Sequence, residues 1–268
     1  METEIKYNRD LAIVQANELV RSRQDDLSVL EAKIIKLAIA QVLKNDTDLR
    51  TYTCNVADLA RFLNISNEYV YMDIQNISKS LIKKSIFIRD TDSKKKNYKI
   101  FNWVDYIEYK DGVITIRLSE KLKPYLLGLN ELFTKYEYDI ILRLPNNKSM
   151  RLYELLASYR YMTYTVVSEH NISNIHLEKN EYYFTIDYLK EYFNLKDKYS
   201  NTADFIKRVI KPSVEAIEKH TLMRLEYRMI TKGRKIEAII FKIKSIADNP
   251  DDLERVLKEI EEEKQIGV

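Results

Sequence analysis

Between residues 27 and 44 the apolar positions Leu30, Ile34, Leu37, Ala38, Ala40 and Val42 fall at helical spacing. They predict a first long helix, which Ser28 or Asp26 caps. After Asn45–Leu49 the stretch TYTCNVADLARFLNIS predicts a short strand entering a helix with Val56, Leu59, Phe62 and Leu63 inward. A turn at Asn64–Asn67 separates it from a second helix over about Tyr69–Lys84, with Ile74, Ile77, Leu81 and Ile82 on one face. The period then changes. SIFIRD, YKIFNWVDYIEY and GVITIRLS alternate or run β-branched and aromatic, so they predict strands, with DTDSKKKN and KDG as turns. Helix, turn, helix and a hairpin with a basic tip is a winged-helix order.

The order recurs. YYFTIDYLKEYFNL repeats the pattern of TYTCNVADLARFLNI at a constant offset of 130, with Ile186 on Val56, Leu189 on Leu59, Tyr192 on Phe62, Phe193 on Leu63 and Asn194 on Asn64. With about five extra residues in the turn, VIKPSVEAIEKHTLM follows IQNISKSLIKKSIFI, and two strands turning through Thr231–Arg234 complete a second wing. Agreement of buried faces and of element order together makes this an internal duplication. The expected fold class is α+β and helix-rich, with two tandem winged-helix domains over residues 1–127 and 128–268, joined through Leu126–Arg160. The joining region holds SMRLYELLASYRYM, a helix with Met150, Leu152, Leu155, Leu156 and Tyr159 on one side. The tail from Pro250 predicts a further, acidic helix with Leu253, Val256, Leu257 and Ile260 one turn apart.

Composition narrows the chemistry. Among 268 residues there are 4 Gly, 4 Pro and a single cysteine, Cys54. Gly-rich nucleotide loops, an internal disulfide and a cysteine-based zinc site are therefore not expected. No GxxxxGK[ST], HExxH or HxH motif occurs, and His170, His176 and His220 lack metal-ligand spacing, so neither metal nor cofactor is expected. A nicking initiator needs a histidine pair beside its nucleophilic tyrosine, and the Tyr-rich SYRYMTYTV lacks it; no GxSxG elbow is present either. The expected protein is not an enzyme. Without a signal peptide or a long apolar run it is expected in the cytoplasm, with no membrane partner.

The formal net charge of +3 hides an asymmetry. Residues 200–244 carry seven Lys and four Arg against five acids, and residues 245–268 carry eight acids against three bases. A basic segment of this kind raises the expectation of a polyanionic partner. In a helix-turn-helix unit the second helix enters the major groove by its N-terminal half. In the second domain that half offers Ser200, Asn201, Thr202, Lys207, Arg208 and Lys211, while Phe205, Val209, Ile210 and Ile217 face inward. Arg and Asn make bidentate contacts to guanine and adenine edges, and Lys more often serves phosphate. Pro212 is expected to kink or interrupt this helix unless the segment N-terminal to it is a separate turn. Lys232, Arg234 and Lys235 surround Gly233 at the wing tip, and Lys94, Lys95, Lys96 and Lys99 form what reads as the equivalent tip of the first domain. The first domain's second helix is less basic, offering Tyr71, Gln75, Asn76, Ser78 and Lys79, and weaker base reading is expected there. Each basic residue taken singly also reads as solvated surface charge, and the hairpin lysines as protection of an edge strand.

The chain also resembles the replication initiator (Rep) proteins of iteron-bearing, theta-replicating bacterial plasmids. ANELVRSRQDDLSVLEAKIIKLAIA, SMRLYELLASYR and DFIKRVIKPSVEAIEKHTLMRLEYRMITKGRKIEAIIFKIK carry the resemblance in the right order, and the last keeps the family's F-x-x-x-V-[IL]-x-P pattern with Pro212. The resemblance implies two winged-helix domains that bind iteron repeats in double-stranded DNA at a plasmid origin. It implies recruitment of host proteins such as the helicase and the chromosomal initiator, and a monomer–dimer switch. Dimers, formed mainly through the first domain, would bind an inverted-repeat operator and repress the protein's own promoter. Two other classes share some of these features: a tandem winged-helix transcription regulator that never acts at an origin, and a nicking–joining enzyme.

Overall fold

The computed structural model describes residues 2–9, 11–89, 97–160 and 177–244. It divides into two compact units, Met1–Ser158 with Glu191–Asn194, and Tyr159–Lys190 with Leu195–Val268. The acidic tail helix expected from Pro250, most of the Tyr-rich segment, His170, His176 and the Lys94–Lys96 run lie outside the described residues.

In chain order the first unit contains β1 (Glu2–Glu4), β2 (Ala12–Ala16), α1 (Asn17–Arg21), β3 (Arg23–Gln24), α2 (Val29–Ala40), β4 (Thr51–Asn55), α3 (Val56–Leu63) and α4 (Asn67–Leu81). Then come β5 (Ser85–Arg89), β6 (Tyr98–Asn102), β7 (Val104–Lys110), β8 (Val113–Leu118), α5 (Lys123–Leu126), β9 (Phe133–Glu137), α6 (Tyr138–Arg143) and α7 (Asn147–Ala157). Helix α2 starts at a reciprocal cap. Ser28 Oγ accepts from Glu31 N at 3.2 Å, and Ser28 N donates to Glu31 Oε2 at 2.7 Å. Nine of its twelve residues are buried, so it is apolar nearly all round and runs through the core rather than lying on it.

Two of its buried neighbours correct the expected domain boundary. Strand β9 pairs antiparallel with β2, Ile13 opposite Tyr136, and every residue of α7 from Ser149 to Leu156 is buried. Residues 128–158 therefore complete the first unit, and the boundary lies at residue 158 instead of 127. The RLYELL stretch is a core helix of that unit and not a linker, because its apolar and charged positions alike face inward.

The second unit contains β10 (Glu181–Thr185), α8 (Ile186–Tyr192) up to Lys190, α9 (Thr202–Phe205), α10 (Lys211–His220), β11 (Arg224–Lys232) and β12 (Lys235–Lys244). Its sheet runs β10-β12-β11, with Phe184 and Phe241 in an edge-on contact at 5.9 Å within the core. In the first unit β4-β8-β7 has the same order, with β1 added at the edge.

The duplication is visible in backbone detail. Helix α3 ends at Asn64 (φ 53°), and the chain after α8 turns at Asn194 (φ 54°), both left-handed. Ile65 N donates to Ala60 O at 3.0 Å and Leu195 N to Lys190 O at 2.7 Å, while Asn64 N reaches Arg61 O and Asn194 N reaches Glu191 O. These paired bonds recur 130 residues apart and form the glycine-type helix stop, with Asn as the residue other than Gly that best tolerates this φ. Replacing either Asn by Ala is expected to cost about 1 kcal/mol in a urea titration, whereas Gly is nearly neutral.

Candidate nucleic-acid interface

The second helix of the second unit is continuous through Pro212, which corrects the expected interruption. Between α9 and α10 the residues Ile206–Ile210 form a π-helical turn, and Lys211 N donates to Ile206 O. Proline has no N–H to give, and the wider turn just before it absorbs the lost donor without breaking the helix. Ile210 and Lys211 keep right-handed helical dihedrals. The turn also changes the phase of the side chains: from Phe205 to Val214 they alternate two buried, two exposed. Phe205, Ile206, Val209, Ile210, Ser213 and Val214 go inward. Lys207, Arg208 and Lys211 come out on the exposed side, where the sequence places them, with Ser200 and Asn201 exposed at the start. Thr202 is half-buried. Asn201 has a structural duty as well, since its Oδ1 accepts from Ala203 N at 2.9 Å and caps α9. Its Nδ2 donors and the second lone pair of Oδ1 remain for another partner.

Strands β11 and β12 are joined by the two residues Gly233 and Arg234 between the paired Lys232 and Lys235. Gly233 has φ +61°, and nothing lies within 4 Å of the place a Cβ would take. It is there for its backbone freedom and not for close packing. A bulge between Ile230 and Thr231 shifts the register just below the tip. Lys232, Arg234 and Lys235 are all exposed.

Pairing separates the cations of this unit into two groups. Arg228 lies 3.1 Å from Glu181 and Lys242 2.7 Å from Glu178, and Lys244 pairs with Glu226. Burial pushes the Glu181 carboxyl up, but the hydrogen bonds from Arg228 and Glu178 N and the charges of Arg228 and Lys242 together outweigh it and hold the group below its ordinary value. Arg224 donates to Glu218 O and Thr221 O at 2.9 and 2.8 Å, closing the end of α10. Lys211 has a loose partner in Glu215 at 3.8 Å, both side chains well exposed. Among the described residues Lys207, Arg208, Lys232, Arg234 and Lys235 have no carboxylate within 4 Å. Exposed Lys179, Lys196, Lys198 and Lys219 also lack a carboxylate at that distance, so the helix and the hairpin tip, the two elements a winged helix applies to DNA, carry part of the unpaired positive charge.

In the first unit α4 exposes Gln75, Asn76 and Lys79, with Ser78 half-buried. Asn76 donates to Asp73 Oδ1 at 2.9 Å. Tyr71 lies on the same helix, but its side chain is outside the described set. The expected wing tip is corrected. The counterpart of β11–β12 is β7–β8, joined by Asp111 (φ 50°) and Gly112 (φ 81°), with the exposed Lys110 at its tip. The strands flanking Lys94–Lys96 are β5 and β6, which pair with β3 in a separate sheet. Lys99 belongs to that sheet too, its Nζ 3.4 Å from Tyr125 Oη. The signal that identifies the wing is the Asp-Gly pair, the strongest two-residue hairpin marker. Among the described residues no cluster of His, Cys, Asp and Glu fits a metal ion, and no helix is long and apolar enough to cross a membrane.

Residues 12–157 match the family described as Initiator Replication protein, WH1, and residues 185–243 match Initiator Rep protein, WH2. Among solved structures the chain is similar to the Pi initiator protein in complex with iteron DNA. There the identity is 21%, the TM-score 0.65, and the match covers 88% of this chain and 98% of the other. A second similarity is to the WH1 domain of MSBI1.176, a replication protein isolated from a multiple sclerosis patient, at 19% identity over 37% of this chain and 79% of that one. Its TM-score of 0.30 carries no weight, whereas the first supports the two-unit fold.

Proposed function

Because the chain belongs to the initiator Rep family, with a WH1 domain followed by a WH2 domain, we propose that it starts plasmid replication by gripping iteron repeats in double-stranded DNA at the origin. It is a DNA-binding initiator and not a classical enzyme. The observation that carries the reading is that Lys207 and Arg208 on the recognition helix and Lys232, Arg234 and Lys235 at the wing tip are exposed with no carboxylate within 4 Å. In this reading Arg208 reads a base edge, with Ser200, Asn201 and Thr202 beside it, and Lys207 and Lys211 hold phosphates. Lys232, Arg234 and Lys235 follow the backbone or enter the adjacent minor groove. Helix α4, through Tyr71, Gln75, Asn76 and Lys79, takes a neighbouring major groove with weaker base contacts. The Lys94–Lys96 run lies between β5 and β6 in the sequence, and its DNA role is phosphate contact at the margin.

The same reading includes self-association through the first unit, with a dimer repressing the gene from an inverted-repeat operator. Monomers at the origin recruit host helicase and chromosomal initiator, all in the cytoplasm. The test is a replication assay in which a selectable, otherwise non-replicating DNA carries the direct repeats beside the gene, with the protein supplied in trans. Transformants are expected only when both are present, and none with Lys207→Ala/Arg208→Ala. Replication without the protein, or binding confined to one isolated operator, rejects the initiator reading in favour of a transcription regulator.

A further inference from the structure

From Phe205 to Val214 the alternation of two buried and two exposed residues repeats every four positions. At about 3.6 residues per turn such a repeat drifts by about 40° each time, so a regular helix keeps only one end of it in register with the core. The π turn at Ile206–Ile210 removes the drift by taking up one extra residue.

Both ends of the segment are fixed. Phe205 is fully buried, with the Tyr199 ring centre and Lys190 Nζ each 6.0 Å from its own ring centre. Beyond the turn Ser213, Val214 and Ile217 are buried, and Thr221 Oγ1 donates to Ile217 O at 2.8 Å where the helix ends. Neither end rotates without exposing this core, so the extra residue stays between them, where Lys207 and Arg208 are exposed.

Pro212 fixes the turn from the hydrogen-bonding side. Lys211 N donates to Ile206 O, five residues back. The next bond of that series would run from the N–H of residue 212 to Lys207 O, and proline has no N–H. Lys207 O is therefore left without a main-chain donor in helical register, since Lys211 N is already spent on Ile206. A main-chain acceptor in that state is satisfied by water or by a ligand. Adenine N6 and cytosine N4 are the donors that the major groove presents, and the neighbouring Arg208 has the fork that fits guanine. Folding alone does not ask for proline here, because a residue with an N–H keeps a helix at lower cost.

We propose that Pro212 is a positioning residue for base reading. By withholding its N–H it keeps the π turn open, so that Lys207 and Arg208 stand out as a bulge and the Lys207 carbonyl accepts from a base amine. This rests on the assignment of the helix to the major groove.

The experiment is fluorescence anisotropy of the full chain on a labelled duplex of the repeats flanking the gene, run beside a scrambled duplex of equal length and composition. Pro212→Ala is expected to weaken repeat binding at least tenfold. Scrambled-duplex binding should stay within twofold, since phosphate contacts carry no sequence information. The thermal midpoint is expected to hold or rise, because the helix gains a donor. Lactic acid incorporated at 212, which lacks both the N–H and the ring, is expected to keep the preference of the unaltered protein. An unchanged preference in Pro212→Ala overturns the proposal. So does an equal loss on both duplexes or a fallen midpoint, either of which makes Pro212 a folding element only. Lactic acid behaving as alanine does gives the effect to the ring and overturns it too. If the unaltered protein does not prefer the repeats, the assignment of the helix falls and this proposal with it; a normal preference that ignores Pro212→Ala removes the proposal alone.

Discussion

Glu154→Ala is expected to destabilise the first unit by about 3–5 kcal/mol, a large part of the 5–15 kcal/mol typical of a folded domain. Glu154 is fully buried on α7, and Lys36 of α2 and Gln15 of β2 are buried beside it. Lys36 Nζ and Tyr136 Oη both donate to Glu154 Oε1, with Gln15 Nε2 adding a third bond at 3.2 Å. Lys36 Nζ also donates to Gln15 Oε1 at 3.0 Å and sits 5.6 Å from the Trp103 ring centre. Arg151 stands 3.8 Å from the other carboxylate oxygen, while it donates to Val20 O and Ser22 O. One carboxylate therefore balances the charge of a core made by four elements, and removing it strands a buried ammonium. Urea unfolding measures the loss. Lys36→Met/Glu154→Leu, which deletes both charges and keeps volume, is expected to recover most of it.

The same group sets an acid limit. Burial raises the Glu154 carboxyl, but Lys36 and Arg151 outweigh it and hold the folded value below the ordinary 4.5. Its stability contribution is then complete above about pH 4.5 and is lost as the pH falls through the depressed folded value. Burial moves Lys36 the other way from a surface lysine, downward, against the pull of Glu154. In the double variant the acid-dependent loss between pH 4.5 and 2 should be smaller.

Lys207→Ala/Arg208→Ala/Lys211→Ala is expected to weaken binding to the origin repeats by about 3 kcal/mol, more than a hundredfold, with folding unchanged. All three side chains are exposed, and only Lys211 has an ion partner, so nothing internal is lost. The slope of log affinity against log salt should flatten by about two to three units, roughly one per phosphate contact removed. Arg208→Ala alone should cost about 1–3 kcal/mol and relax preference at one base position, without a matching fall in slope. Anisotropy at several salt concentrations separates these effects.

The helix-turn-helix units were legible because their signals are local. The apolar stripes of α3 and α8, and the Asn that ends each, repeat at one offset and appear in the structure as the same hydrogen bonds. Three features were not legible, for separate reasons. The domain boundary depends on Ile13 meeting Tyr136 across 123 positions, a pairing no local pattern announces. The wing of the first unit depends on which hairpin pairs with β4, and SIFIR and YKIFN have the same alternation as the true wing strands. Pro212 was read by its usual effect, and the π turn that accommodates it leaves no residue-type signal of its own. The exposed cations of the recognition helix came out where the apolar phase of Phe205, Val209 and Ile210 sends them.

Hydroxyl-radical footprinting of the protein on the DNA beside its gene tests the duplicated groove-reading mechanism most directly. Protection of about two helical turns per repeat is expected, in two blocks about one turn apart. Gln75→Ala/Lys79→Ala should weaken one block, and Lys207→Ala/Arg208→Ala the other. A single one-turn block, or protection that ignores both pairs of substitutions, contradicts the mechanism.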